Sequence, residues 1–181
     1  MKYKIKELLR VSFILPLLFV SCTKDEDPKL IEEQELITTV VLTLSDGATS
    51  QTVRWNQDSN NTPSIALQAN KSYEVAVSFL DESDPGAVED LTEEIKEEAD
   101  EHQVFFEFSG ASIRFSSRQG DTTDSANNPL YINSTWTTTS SGTGTVRVYL
   151  IHQPTTKTST NRGGFGGETD AAVDFTIVVS E

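Results

Sequence analysis

The sequence predicts an all-β domain, a two-sheet antiparallel sandwich of about nine strands with one inserted helix. After Leu36, apolar and polar residues alternate with period 2 in nine separate segments, which is the periodicity of strands that bury one face. Gly, Asp, Asn and Pro separate these segments, and short strands between such turn residues are typical of sandwiches. Residues 36–181 are long enough to form one domain with its own core.

The predicted strands follow one another without an internal repeat. The first is a β-branched segment that ends at the Asp46-Gly47 turn signal. The full set is 36–44, 51–56, 65–69, 73–80, 104–108, 111–116, 130–137, 145–152 and 171–179. The layout is Ig-like, although the Cys…Trp…Cys pattern of immunoglobulin domains is absent. Trp55 and Trp136 share strand faces with apolar residues and are predicted to lie in the core.

One segment departs from this alternation and predicts an acidic helix over about 85–101. Residues of one face recur there at intervals of three or four: Val88, Leu91, Ile95, Ala99 and His102. Asp84 followed by Pro85 suits a helix start, and Asp90–Glu93 offers an alternative capping box. The helix either lies between the arms of a hairpin or crosses from one sheet to the other.

The N-terminus predicts an export signal that ends at Cys22. Residues 1–10 are basic, and residues 11–20 are apolar except for Ser12 and Pro16, as in a secretory signal peptide. This apolar segment is too short for a membrane span, which needs about 20 residues. Because Cys22 is the single cysteine, the chain forms no internal disulfide.

The residues around Cys22 also predict its modification. Leu18-Phe19-Val20-Ser21-Cys22 resembles a lipobox, which implies cleavage before Cys22, a diacylglycerol on its thiol and attachment to a lipid bilayer. The acidic Asp25-Glu26-Asp27 cluster resembles the signal that sends lipoproteins of Bacteroidota to the cell surface. Residues 1–21 are then a signal peptide and 22–35 an acidic tether. A plain solvated tether on the periplasmic face of the outer membrane is the alternative.

The charge of the chain restricts its partners. Removal of residues 1–21 takes away four of 14 basic and one of 28 acidic residues, which leaves a net charge of −17 over 160 residues. Nucleic acids and anionic membrane surfaces attract basic patches, so neither is expected to bind. Cations and neutral ligands are compatible with this charge, as is a simple role in solubility.

The predicted acidic helix carries the candidate metal ligands. Glu94, Glu98 and His102 are spaced at one-turn intervals, Asp100 adds a carboxylate, and His152 ends a predicted strand. Imidazole and carboxylate groups at such spacing suit Zn²⁺ or another divalent metal ion. The alternatives are a solvated glutamate face, a packed His102 and a His152 that points to water. The distance between the two histidines distinguishes these interpretations.

A glycine-rich loop carries the candidate partner contact. Arg162-Gly163-Gly164-Phe165-Gly166-Gly167 is expected to start no helix and to expose Phe165 at a mobile tip. Arg162 and Phe165 are then available to a partner protein, with a poorly ordered connection as the alternative. The motifs Gly-x-Ser-x-Gly and His-Glu-x-x-His are absent, so we expect no enzymatic activity.

The whole chain resembles the small β-sandwich lipoproteins of Bacteroidota that are often encoded near TonB-dependent receptors. The residues that carry the resemblance are the lipobox and the segments 32–40, 100–106 and 167–170. The resemblance implies an outer-membrane lipoprotein, an accessory module without catalytic residues that binds a nutrient or metal ion for TonB-dependent uptake. A TonB-dependent receptor or another outer-membrane protein is the implied partner. A structural or adhesive surface lipoprotein with partner-binding loops is the alternative.

Overall fold

The computed structural model describes residues 35–181, which form a β-sandwich. The predicted signal peptide, Cys22 and the tether up to residue 34 lie outside the described residues. The strands of the described part are β1 Thr39–Ser45, β2 Ser50–Asn56, β3 Ser64–Gln68, β4 Ser72–Asp81, β5 Glu89–Asp90, β6 His102–Ser109, β7 Ile113–Ser117, β8 Asn133–Thr138, β9 Gly142–His152 and β10 Glu168–Ser180. Two short helices accompany them, α1 Thr92–Glu97 and α2 Arg162–Phe165.

The strands form two sheets. Each of the nine predicted segments overlaps one observed strand, and only β5 was not predicted. The first sheet has the order β2-β1-β4-β8-β7 with β5 paired to β4, and the second has the order β3-β10-β9-β6. Every pair is antiparallel except β3 with β10, which is parallel. The predicted all-β two-sheet sandwich is confirmed. The second sheet is mixed, since β3 runs in the same direction as β10, and for this one pair the prediction of antiparallel strands is wrong.

The core lies between the two sheets and is built from the alternating apolar residues. Val40, Leu42 and Leu44 of β1 face the interior, as do Val75 and its neighbours in β4 and the odd-numbered residues of β10 from Ala171 to Val179. Trp136 is fully buried, as predicted. Trp55 is only partly buried and packs against the edge of the core.

The predicted helix over 85–101 is largely wrong. The α1 helix spans only Thr92–Glu97, because β5 pairs with β4 just before it and backbone groups committed to a sheet are unavailable to a helix. Asp84 closes a turn by accepting a hydrogen bond from Gly86 N at 2.9 Å, and Asp90 accepts one from Thr92 N at 3.0 Å at the true helix start. The segment connects β4 of the first sheet to β6 of the second, so it crosses between the sheets.

The glycine-rich loop folds back on the outer face of the second sheet. Phe165 is only 2% exposed and packs against Phe105 with ring centroids 5.0 Å apart, in a cluster with Tyr149 and Ile151. The loop also contains the short α2 helix, capped by Asn161, whose side chain accepts a hydrogen bond from Gly164 N at 2.9 Å. The expectations of an exposed Phe165 and of no helix start are therefore wrong, since an apolar patch on the sheet attracts the ring.

The Arg162 side chain stabilises this loop through hydrogen bonds. Its guanidinium donates hydrogen bonds to Gly166 O at 2.7 Å, to Glu168 O at 2.9 Å and to Thr169 Oγ1 at 2.6 Å. A guanidinium with this many partners inside its own loop is committed to holding the loop shape. The expected role of Arg162 in partner contact thus loses its structural support.

Among the described residues there is no helix with the length and apolar character of a membrane span.

Candidate metal centre

Two histidines meet at one end of the second sheet. His102 is the first residue of β6, His152 is the last residue of β9, and the two are direct partners in the register of the pair. Their rings are stacked, with centroids 5.0 Å apart and an interplanar angle of 12°. Since Val104 and Leu150 lie two residues further along on the same faces and belong to the core, both histidines point to the interior side of the sheet. His102 is buried, whereas the His152 side chain is 17% exposed.

A β-bulge adds a carboxylate to the two histidines. In the pairing of β10 with β9, Thr169 lies opposite Ile151 and Ala171 lies opposite Leu150, so Asp170 is an extra residue. Bulges re-aim side chains beside functional sites, and here the Asp170 side chain is buried. Its Oδ2 lies 3.9 Å from His102 Nε2 and its Oδ1 lies 3.9 Å from His152 Nδ1.

Two residues with left-handed backbone flank this corner of the domain. Gln153, directly after His152, has a φ of 47°, and Gly167, just before β10, has a φ of 64°. A Cβ atom on Gly167 would collide with the carbonyl oxygen of His152, so only glycine allows the two segments to approach this closely. Left-handed conformations persist where the surrounding structure enforces them, and they cluster at functional sites.

We expect Gly167→Ala to destabilise the domain by about 2–4 kcal/mol, because it combines a left-handed backbone with a collision at His152. Chemical denaturation would measure the change. The matched control is Gly163→Ala, whose Cβ would meet only Asn161 Oδ1, at an ordinary 3.5 Å. Equal stability of the two variants would contradict the assigned role of Gly167.

Further carboxylates surround the histidine pair. Glu35 Oε1 lies 3.7 Å from His102 Nε2, and Glu98 Oε2 lies 3.9 Å from His102 Nδ1. Glu101 Oε2 lies 3.8 Å from His152 Nε2. Two sets of potential ligand atoms within 4.8 Å of one another result, and His102 belongs to both. One set contains His152 and Asp170, and the other contains Glu35 and Glu98.

The electrostatics of the site reflect burial and an excess of negative charge. Burial, followed by the charges of Asp170, Glu94 and Glu98, raises the pKa of Glu35 to about 7. Burial and the neighbouring His152 lower the pKa of His102. A lowered pKa keeps the imidazole of His102 neutral at neutral pH, and neutral imidazole is the form that binds metal ions.

The separations at the site suit ligands around an ion better than direct hydrogen bonds. Distances of 3.7–3.9 Å exceed those of protein hydrogen bonds. Neighbouring ligands on a tetrahedral Zn²⁺, with bonds of 2.0–2.1 Å, lie about 3.4 Å apart. The nitrogen lone pairs of parallel rings do not converge, so one ring must rotate for both histidines to bind one ion. His152, 17% exposed, is the less buried of the two rings and is the one we expect to rotate.

The sequence identified part of this centre. It named both histidines, which the structure brings together, and Glu98, which lies beside His102. Glu94 is exposed and contributes only through its charge on Glu35. Asp100 lies elsewhere, since its Oδ1 accepts a hydrogen bond from Ser125 N at 2.8 Å.

Asp170 and Glu35 were not predicted as potential ligands from the sequence. In the alternating pattern of the last strand Asp170 occupies an outward position, and only the preceding Gly166-Gly167 pair hints at an irregular strand start. Glu35 belongs to an acidic segment that we assigned to the tether. No pattern in the sequence signals that it reaches the histidines.

Comparison with protein-family models, with curated proteins and with solved structures finds no match. The chemistry of the centre therefore rests on the residues described above.

Proposed function

We propose that this chain is an outer-membrane, lipid-anchored binding module without catalytic activity that holds a divalent transition-metal ion at His102, His152 and Asp170. The observation that carries the proposal is a buried carboxylate, that of Asp170, whose oxygens lie 3.9 Å from one nitrogen of each of two stacked imidazoles. Two imidazoles with one carboxylate favour Zn²⁺ and related ions over Mg²⁺ or Ca²⁺, which prefer sites made only of oxygen ligands.

The charge around the centre supports a cation as its ligand. Glu35, Glu98 and Glu101 lie within 4 Å of a histidine nitrogen. The charges that raise the pKa of Glu35 all come from carboxylates. Carboxylates gathered in a partly buried site repel one another, and a bound divalent ion converts this repulsion into attraction.

The location at the membrane follows from the N-terminal sequence and belongs to the proposal. Acylation of Cys22 anchors the chain, since each buried methylene of an acyl chain contributes about 0.8 kcal/mol to membrane binding. Residues 23–34 then connect the anchor to Glu35, a distance of at most about 47 Å when fully extended. A TonB-dependent receptor that takes up a metal ion or its complex is the partner we propose.

The adhesive alternative loses the observation that favoured it. That alternative proposed partner contacts through the polar loops, with Phe165 and Arg162 as the candidate residues. Phe165 is buried against the second sheet and Arg162 is hydrogen-bonded within its own loop.

Calorimetric titration tests the metal proposal directly. When the full chain, purified in detergent and treated with a chelator, is titrated with Zn²⁺, we expect saturable heat with one ion per chain. Mg²⁺ or Ca²⁺ in excess is expected not to displace the ion, because neither favours imidazole. Absence of heat, or heat that Mg²⁺ suppresses, would contradict the proposed site.

A further inference from the structure

We infer that Glu35 is the fourth ligand of this ion, so that the bound metal fastens the start of the domain to the opposite sheet. The inference rests on the proposed metal site and adds a residue and a consequence to it. His102, His152 and Asp170 all lie in the second sheet, at the ends of β6, β9 and β10. Glu35 precedes β1, which belongs to the first sheet. An ion with these four ligands links the two sheets.

The position of Glu35 favours it as the ligand that completes the site. Its Oε1 lies 3.7 Å from His102 Nε2, the same nitrogen that faces Asp170 Oδ2 at 3.9 Å. An ion on this nitrogen therefore has both carboxylates beside it. Three protein ligands leave one position of a tetrahedral ion open, and a fourth protein ligand closes it into a structural site.

Burial distinguishes Glu35 from Glu98, the other carboxylate beside His102. The Glu35 side chain is 14% exposed, whereas that of Glu98 is 48% exposed and already accessible to water. Within residues 35–181, Glu35 Oε2 is a buried oxygen without a hydrogen-bond partner. A buried carboxylate oxygen is costly without a donor or a cation, and a bound ion supplies the cation.

The consequence concerns the junction between the domain and the segment that leads to Cys22. The strand-like bonding of the first sheet begins at Thr38, whose N donates to Leu80 O at 3.0 Å. Leu36, between Glu35 and this bond, is mostly exposed. A metal-bound Glu35 thus adds an attachment point three residues before the sheet begins. In a chain without an internal disulfide, the ion acts as a cross-link between the sheets.

Hydrogen exchange of the full chain in detergent tests this inference. On addition of Zn²⁺ to chelator-treated protein, we expect protection of the backbone amides of residues 36–38 to rise about tenfold or more, because local opening becomes rarer. In Glu35→Gln the ion is expected to bind at least about 100-fold more weakly, because removal of a direct ligand costs more than removal of a residue that only orients one. The added protection is expected to be absent in this variant. The isosteric amide removes the charge and keeps the shape.

Two further variants make the result decisive. Glu181→Gln removes an exposed charge beyond the far end of β10 and is expected to behave as the unmodified chain does. Glu98→Gln is expected to retain both the Zn²⁺ affinity and the protection of residues 36–38. A large loss of affinity in Glu98→Gln beside an unaffected Glu35→Gln variant would assign the fourth position to Glu98 and overturn the inference. Zn²⁺ binding with unchanged protection, or an unaffected Glu35→Gln variant, overturns the cross-link and leaves the proposed function standing. Failure of the unmodified chain to bind Zn²⁺ overturns both.

Discussion

Replacing His102 by alanine is expected to weaken Zn²⁺ binding by at least about 100-fold. His102 belongs to both sets of potential ligands, so its loss disrupts either arrangement of the ion. Removal of a residue that only orients a ligand costs about 10–100-fold in metal affinity, and removal of a direct ligand costs more. A 100-fold loss corresponds to about 2.7 kcal/mol of binding free energy. Calorimetric titration or competition with a coloured chelator measures it.

The buried position of His102 requires a second variant, because the alanine leaves a cavity. His152→Ala removes a ring at the more exposed rim and is expected to weaken binding to a similar extent with less effect on stability.

Asp170→Asn and Asp100→Asn form a matched pair. The structure places the first carboxylate beside both histidines and the second beside Ser125. Only Asp170→Asn is expected to impair binding. Equal effects of the two would contradict the assignment of the ligands.

The strands were predictable from the sequence because their side chains alternate between core and solvent. In β4, for example, Tyr73, Val75, Val77 and Phe79 are buried while the intervening residues are more exposed, and this pattern is local in the chain. The partner of a strand is not local. The parallel pairing of β3 with β10 joins Ser64 to Thr176, and no short segment specifies such a contact.

The helix prediction failed for a related reason. The apolar spacing of Leu91, Ile95 and Ala99 is genuine, and all three are buried. Periodicity records only that these residues face the core. The spacing does not show that the end of β4, at Leu80 and Asp81, pairs with Glu89 and Asp90. This pairing shortens the helix from its N-terminal end.

The candidate site was predictable from the sequence where the residue type alone sufficed, and it was missed where the geometry was needed. The two histidines stand out because the chain contains only two, and the register of β6 with β9 makes them partners. Asp170 becomes a candidate only through the bulge that inserts it beside them. Its carboxylate is one of 28 acidic groups in the sequence, and composition alone cannot select it.

Replacing Phe165 by alanine is expected to destabilise the domain by about 3–5 kcal/mol, the usual cost of removing a buried aromatic ring. The ring covers Phe105, Tyr149 and Ile151 on the outer face of the second sheet, and the loop that carries it ends in Gly167 beside His152. For a domain of this size the midpoint of thermal unfolding should fall by about 10 °C or more. Calorimetry or circular dichroism measures the change.

The matched variant is Phe165→Leu, which retains most of the apolar volume and is expected to cost less than about 1.5 kcal/mol. Loosening of the loop in Phe165→Ala also releases the segment between His152 and Asp170, so Zn²⁺ affinity should fall together with stability. A joint loss of stability and Zn²⁺ affinity distinguishes a Phe165 that packs on the sheet from a Phe165 that contacts a partner protein. A partner-binding Phe165 would leave the stability and the Zn²⁺ affinity of the isolated chain unchanged. That result would restore the exposed loop predicted from the sequence.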